Sequence, residues 1–403
     1  MADRQRIEAM APAGYWLDLM RDDQVQSKSL PRVVLAGGGH AHLAVLDDWT
    51  RAPLCGVETW LVTAAPFTAY SGMIPGWMAG HYRAGQHLID LRPLAKRAGV
   101  KLVIDTVEGL DAKQRKLTLS SGESVSFDLL SLAVGGEVDT SPLASLGDQL
   151  LPVRPMNAFV ARWPLVLKNA ARRQDFRLFV VGGGAAGIEI ALAAEYALRH
   201  ISANPRVTIV TAENGLLSGH SDAAIACVRT ELARRDIDLI FADAAGSKDA
   251  VLLSTGKTID ADYVIAATGS SAPRWLKATG LALDQQGFIE VGADLRSISH
   301  DNIFAAGDIV KRTDRRVARS GVHAVHAGPV LAANLRAQLN RQKLDHYIPR
   351  RRTLYLLATG ERRAILSWGA FTMSGSLVWQ LKDWIDRRFV RHHTVPGAQV
   401  RRR

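Results

Sequence analysis

One plan occurs twice along this chain: a short β-rich run enters a glycine cluster, and a helical stretch follows. Arg32 to Ala36 enters Gly37-Gly38-Gly39-His40-Ala41-His42 and a helix through Trp49. Arg177 to Val181 enters Gly182-Gly183-Gly184-Ala185-Ala186-Gly187-Ile188-Glu189 and an alanine-rich helix through Arg199. A second strand then follows in each case, Glu58 to Thr63 and Arg206 to Thr211. Strand, glycine turn, helix and strand form a βαβ unit, whose parallel strands require an α/β sheet. A single glycine turn is a weak signal. Two in the same context predict a pair of Rossmann-like dinucleotide-binding domains.

In such a turn the first glycine allows the tight bend, and the second lets backbone N–H groups approach a pyrophosphate at the helix N-terminus. Gly182, Gly184 and Gly187 fit this pattern fully. The first copy keeps Gly37 and Gly39 but has His42 in third place, so helix and strand are expected to pack farther apart. His40 and His42 lack a third ligand nearby, and no metal site is expected.

The repeat continues in Phe127 to Gly136 and Asp262 to Ser271, both apolar runs entering small-residue turns. After the second come Asn302 to Asp308 and a helix from Gly321 to Asn340. The expected organisation has an N-terminal extension (1–30) and a first nucleotide domain (31–150 plus 272–340). A second nucleotide domain (151–271) is inserted in it. A small C-terminal α+β region (341–403) carries two strands, Thr353–Ala358 and Arg363–Trp368, and an amphipathic helix from Ser376.

The strand ends indicate which dinucleotides bind. The first unit ends in Thr63; the second ends in Thr211, with Glu213 two residues on. An acid there repels the extra phosphate of NADP, and no arginine lies between Thr211 and Ser221. NADH is therefore expected over NADPH.

Taken in order, Gly37–Gly39, Gly182–Gly187, Ala267-Thr268-Gly269 and Ile303-Phe304-Ala305-Ala306-Gly307-Asp308 resemble the pyridine nucleotide-disulfide oxidoreductase superfamily. The resemblance covers residues 31 to about 340 and implies a glutathione-reductase-like flavoprotein with FAD in the first domain. By this resemblance Asp308 bonds the FAD ribityl chain, with Gly37, Gly39, His40, Ala41, Thr63, Ser71, Gly135 and Val322 completing the FAD site. Gly182, Gly184, Gly187, Glu189, Glu213 and Gly269 would hold the nicotinamide nucleotide. Pro66 to Gly76, with Gly80-His81-Tyr82 and Gly328-Pro329-Val330-Leu331, narrows the likeness. The subgroup resembles type II NADH dehydrogenases and the FAD-linked module sometimes fused to selenide, water dikinase. Residues 341–403 are too few for that kinase.

The disulfide enzymes carry a redox cysteine pair. Here Cys55 and Cys227 fall in different expected domains, and both are expected to be small buried hydrophobes. Two cysteines suit a reducing compartment. Electrons should then leave the flavin directly after hydride transfer from nicotinamide C4 to flavin N5. Type II NADH dehydrogenases have Ala-Gln-x-Ala-x-Gln facing the quinone, and this chain has Gly321-Val322-His323-Ala324-Val325-His326. His326 is thus the candidate proton donor to a reduced quinone.

The net charge of +11 is concentrated in Lys311–Arg319, Arg350–Arg352 and the arginines from Arg387 to Arg403. Such a balance suits an anionic membrane surface. Nucleic acid is not an expected partner, since only charge supports it. On a helical wheel Leu377, Val378, Leu381, Trp384, Ile385 and Phe389 share one arc, while Gln380, Lys382, Asp383, Asp386 and Arg387 lie outside it.

The reading is an FAD-dependent NADH:acceptor oxidoreductase, with quinone as acceptor. It is placed in the cytoplasm, at the cytoplasmic face of the inner membrane if the tail helix binds lipid. The alternative is a soluble NAD(P)H-dependent reductase of a carrier protein or one in selenium metabolism. Oligomeric state stays open, a homodimer included.

Overall fold

A computed structural model describes residues 30–395. The expected N-terminal extension, apart from Leu30, and Arg401–Arg403 lie outside the described residues. From the amino end, β1 (Arg32–Ala36) leads into α1 (His40–Arg51) and back to β2 (Glu58–Thr63). The short helix α2 (Ile74–Met78), β3 (Lys101–Ile104) and β4 (Leu129–Leu132) follow. A second unit runs from β5 (Leu150–Pro152) and β6 (Asp175–Val181) through α3 (Ala185–Arg199) to β7 (Asn204–Thr211). It continues with α4 (Asp222–Arg234), β8 (Asp238–Phe241) and β9 (Tyr263–Ala266). Then come β10 (Ile303–Ala305), α5 (Gly321–Leu339), β11 (Leu354–Ala358), β12 (Ala364–Trp368), β13 (Phe371–Gly375) and α6 (Ser376–His392).

Two five-stranded parallel sheets result, in the orders β3-β2-β1-β4-β10 and β8-β7-β6-β9-β5. The fold is the two-Rossmann α/β arrangement that the paired glycine turns imply. In each sheet the glycine turn leaves the central strand where the strand order reverses, which opens a crevice at the carboxyl ends. β1 pairs with β2 through Ala36 and Val62, and with β4 through Ala36 and Leu132. Val181 has the same place between Val210 and Ala266.

Parallel strands covered on both faces read as unbroken apolar runs. Val33 to Ala36 are completely buried, as are Leu178 and Val180 of β6. Burying a leucine or valine in such a layer contributes roughly 1.5–3 kcal/mol before entropy is counted. One core spans both sheets' domains. Ala69, Ile74, Met78 and Ala79 pack with Ile188, Leu192 and Phe159.

The tail differs from the expected one in two respects. It has a third strand, β13, paired antiparallel to β12. Its helix also turns another face inward: Val378, Lys382, Asp386 and Val390 are buried, with Ile385 and Phe389 half-buried. Leu377, Leu381 and Trp384 stay exposed. The charged Lys382 and Asp386 can lie inside because they pair with each other at 2.8 Å.

Two anchors fix the tail. Its hairpin is held to α3 and α4 by ion pairs in which the fully buried Arg235 meets Glu195 at 2.6 Å and Glu361 at 3.3 Å. Gly360, at φ 79°, passes so close to α3 that a Cβ there would lie 2.2 Å from the Leu192 carbonyl oxygen. At the other end, Lys382 donates to the Gly72 carbonyl at 2.6 Å.

Candidate functional site

Both glycine turns have the geometry their sequences call for. Gly37 adopts φ 97°, and Cβ atoms on Gly37 and Gly39 would lie 2.5 and 2.4 Å from the Ala133 carbonyl oxygen. Gly39 caps α1 without a side-chain bond, leaving the first backbone N–H groups for an anion. Gly182 has φ 128°, and a Cβ on Gly187 would lie 1.9 Å from the Gly182 carbonyl oxygen. Gly184 caps α3 in the same way as Gly39 caps α1.

His42 shows how the first turn manages without a third glycine. Its Nδ1 bonds the Gly37 carbonyl at 2.6 Å, and its Nε2 meets Ser131 Oγ at 2.9 Å. The imidazole straps the turn to β4, and burial lowers its pKa to about 4. Both ring nitrogens are engaged, so no metal could use them. His40, at the first position of α1, is likewise held at about 4 by burial, and its Nε2 is buried without a partner.

The remaining expected flavin residues surround this turn. Ala41 is buried in α1, and the hydroxyl of Thr63 donates to the Ala65 carbonyl at 3.3 Å. Gly135 adopts φ 78° in the turn after β4. Asp308 follows β10; its Oδ2 accepts from Arg154 at 2.5 Å, while Oδ1 is buried without a partner. Gly37 and Gly39 thus let the turn lie against the end of β4 with its helix N-terminus uncapped, and Asp308 keeps one buried acceptor without a partner. These residues fit FAD.

A cleft of about 2490 Å³ lies over the carboxyl end of the second sheet, bounded by Tyr70–Pro75, the start of α5 and the tail; the first glycine turn and Asp308 do not line it. It brings together Ser71, Gly182, Gly184, Gly187, Glu189, Gly269, Val322 and His326. Glu213 is exposed and not among the lining residues; Thr211, Ala212 and Asp243 line that end instead. Burial, then the charge of Arg350, pushes the pKa of His326 below its ordinary value, so the ring is neutral at pH 7.

Glu189, expected at the nicotinamide nucleotide, has cleft neighbours that carried no sequence motif. Glu189 lies beside Lys382 and Asp386, and its Oε1 accepts the Ala358 N–H at 2.7 Å. Burial raises the Glu189 carboxyl to about 7 against the opposing pull of Lys382. Burial would lower the Lys382 pKa, but Asp386 and Glu189 beside it hold it above the ordinary value. Phe389 stacks on Tyr70 with ring centroids 4.4 Å apart. Burial, reinforced by Asp386, pushes the Tyr70 phenol up. Arg154 is the one charged residue in the apolar run Leu150–Met156, and that isolation was its available sequence signal.

Cys55 does not sit where it was expected, whereas Cys227 packs against the core. Cys55 is exposed and Cys227 is half-buried. Cys55 lies just past α1, in the turn before β2, where no core exists to cover it. Neither lines the cleft.

Fold and glycine turns define a protein with two dinucleotide-binding units. The chain belongs to the pyridine nucleotide-disulphide oxidoreductases, whose family model matches residues 31–328. It is similar to an NADH dehydrogenase-like protein of Mycobacterium tuberculosis, 28% identical over 304 residues, covering 70% of this chain and 73% of that protein. Ferroptosis suppressor protein 1 of Taeniopygia guttata is 26% identical over 278 residues, covering 64% of this chain and 69% of that protein. Among solved structures, the sulfide:quinone oxidoreductase of Aquifex aeolicus aligns with a TM-score of 0.74 at 18% identity, covering 91% and 93% of the two chains. NDH2 from Plasmodium falciparum, in complex with NADH, gives a TM-score of 0.72 at 12% identity, covering 90% and 97%. The protein is an oxidoreductase of this family, and its cofactors are FAD and a pyridine nucleotide.

Proposed function

We propose that the protein is an NADH:quinone oxidoreductase in which electrons pass from the flavin to the quinone without a redox disulfide. The observation that carries this reading is the third wall of the cleft. It is built by the tail, from Leu356, Leu366, Trp368, Phe371, Ile385 and Phe389, and neither cysteine belongs to it. An apolar ring system fits such a wall, and a dithiol relay has no place in it. The names of the similar proteins, two of them NADH dehydrogenase-like or quinone enzymes, support the same choice.

FAD, when bound, accepts hydride from the nicotinamide and supplies electrons to the acceptor. The protein's own residues bind, orient and move protons. Gly37, Gly39, His40, Ala41, Thr63, Ser71, Gly135, Asp308 and Val322 hold FAD, within residues 31–150 and 272–340. Gly182, Gly184, Gly187, Glu189 and Gly269 hold the nicotinamide nucleotide, within 151–271. The N-terminus of α5 directs its partial positive charge into the cleft, where reduction places negative charge. Reduction of a quinone consumes two protons. Glu189, with a pKa of about 7, is suited to deliver one, and Lys382 beside it to replace it. His326, on α5, lines the same cleft. Asp243 at the adenosine end, with no arginine beside it in the lining, favours NADH.

Among the described residues no helix is long and apolar enough to cross a membrane. The exposed ridge of Leu377 (73%), Trp384 (54%) and Leu381 (40%) instead supports a peripheral contact, through which a lipid-soluble quinone reaches the cleft. The test is anaerobic reduction with NADH, then reoxidation by quinones, ferricyanide and carrier proteins, for the native chain and a Cys55→Ser, Cys227→Ser variant. Quinone reoxidation in both is expected. Reoxidation by a carrier protein alone would overturn the quinone assignment.

A further inference from the structure

Arg154 stands where the two sheets meet. Its backbone leaves the carboxyl end of β5, where the neighbouring Val153 N–H bonds the Ala266 carbonyl at 3.0 Å. Its side chain reaches across to the segment after β10. One guanidinium nitrogen donates to Ser270 Oγ at 2.8 Å, and the other to Asp308 Oδ2 at 2.5 Å. Beneath it the connections of the two domains cross, with Glu137 and Ser271 paired through both backbone bonds at 2.9 and 2.8 Å. A Cβ on Gly136 would lie 1.9 Å from Ser270 Oγ and 3.2 Å from Arg154 Nη1, so only glycine leaves room for this arrangement.

The consequence concerns Asp308. A carboxylate with two free oxygens can rotate and offer either one. Here Oδ2 is fixed by a charge-assisted bond, which leaves Oδ1 buried, unpartnered and in one direction. Arg319, the other cation acting on Asp308, has its own partner in Asp284 at 3.7 Å and lies over the Phe288 ring. It cannot substitute for Arg154 without leaving both.

We propose that Arg154 is a positioning residue for FAD. Rooted in the nicotinamide-nucleotide domain, it aims Oδ1 of Asp308 at the ribityl chain and thereby couples flavin retention to the seating of the second domain. The inference rests on FAD as cofactor and is independent of the electron acceptor.

The test measures FAD dissociation by recovery of flavin fluorescence, together with thermal melts and visible spectra of the bound flavin. It uses full-length Arg154→Met, Arg154→Lys, Asp308→Asn and the Arg154→Met, Asp308→Asn double variant. Loss of one charge-assisted bond predicts FAD binding weaker by roughly ten- to a hundredfold in Arg154→Met. Partial recovery in Arg154→Lys is expected, as is a double-variant loss smaller than the product of the single ones. An unchanged FAD affinity in Arg154→Met, even with a lowered melting temperature, would reduce Arg154 to a domain staple and overturn the proposal. Fully multiplicative losses would do the same. Should Arg154→Met fail to fold, Ser270→Ala frees one side of the guanidinium: severalfold weaker FAD binding then supports the role, and unchanged binding overturns it.

Discussion

Lys382 and Asp386 meet at 2.8 Å one turn apart on the buried side of α6, and the same ammonium bonds the Gly72 carbonyl. Removing one partner strands the other charge. Lys382→Met is therefore expected to cost about 3–5 kcal/mol in urea unfolding, and Lys382→Met with Asp386→Leu much less. Equal losses in the single and double variants would show that packing, not the pair, holds the helix.

The Glu189 carboxyl is raised from 4.5 to about 7. Between those values the native state holds a proton that the unfolded chain has released. Stability from this group is full below about 4.5 and falls as pH rises through 7, by up to about 3 kcal/mol. Glu189→Gln should flatten that fall and remove the step near pH 7 from quinone turnover. Parallel stability profiles for the two proteins would place the proton elsewhere.

Gly187→Ala drives a methyl group into the Gly182 carbonyl, 1.9 Å away before relaxation. NADH KM should rise at least about tenfold, since a shift of even 1 Å in a positioning loop carries such a cost. FAD content should stay unchanged, because the other glycine turn is untouched.

Glu213 is exposed outside the cleft, whereas Asp243 lines it. Glu213→Gln should leave the NADH to NADPH ratio of kcat/KM unchanged, and Asp243→Asn should lower it. The reverse result would restore Glu213 as the selecting acid.

Serine at Leu377, Leu381 and Trp384 together should abolish sedimentation with anionic vesicles and leave ferricyanide reduction intact. Truncation before Ser376 should instead release FAD, because Lys382 and Phe389 go with it. Unaltered sedimentation of the triple variant would move the lipid contact elsewhere.

The glycine turns were legible because they are local: a bend and an anion site need particular residues at fixed spacing. The fold followed from their repetition, and Asp308 from its motif. The third wall was hidden for the opposite reason. The helical wheel of α6 sorts residues by polarity, yet Lys382 and Asp386 face inward because partners distant in sequence, Gly72 and Glu189, meet them there. His42 looked like a loss from the glycine pattern. In the fold it is a strap, formed by Ser131 eighty-nine positions away.

The double anchoring of the tail has a mechanical consequence. The chain leaves the FAD domain through α5, is riveted to the other domain by Arg235 and Glu361, and returns along α6 to Gly72. With the crossing at Glu137 and Ser271, this makes a closed truss around the cleft. Swinging the domains apart would require breaking a buried ion pair or lifting Phe389 from Tyr70. On the proposed function, nucleotide exchange would then run through the mouth of this frame rather than through opening of the two units.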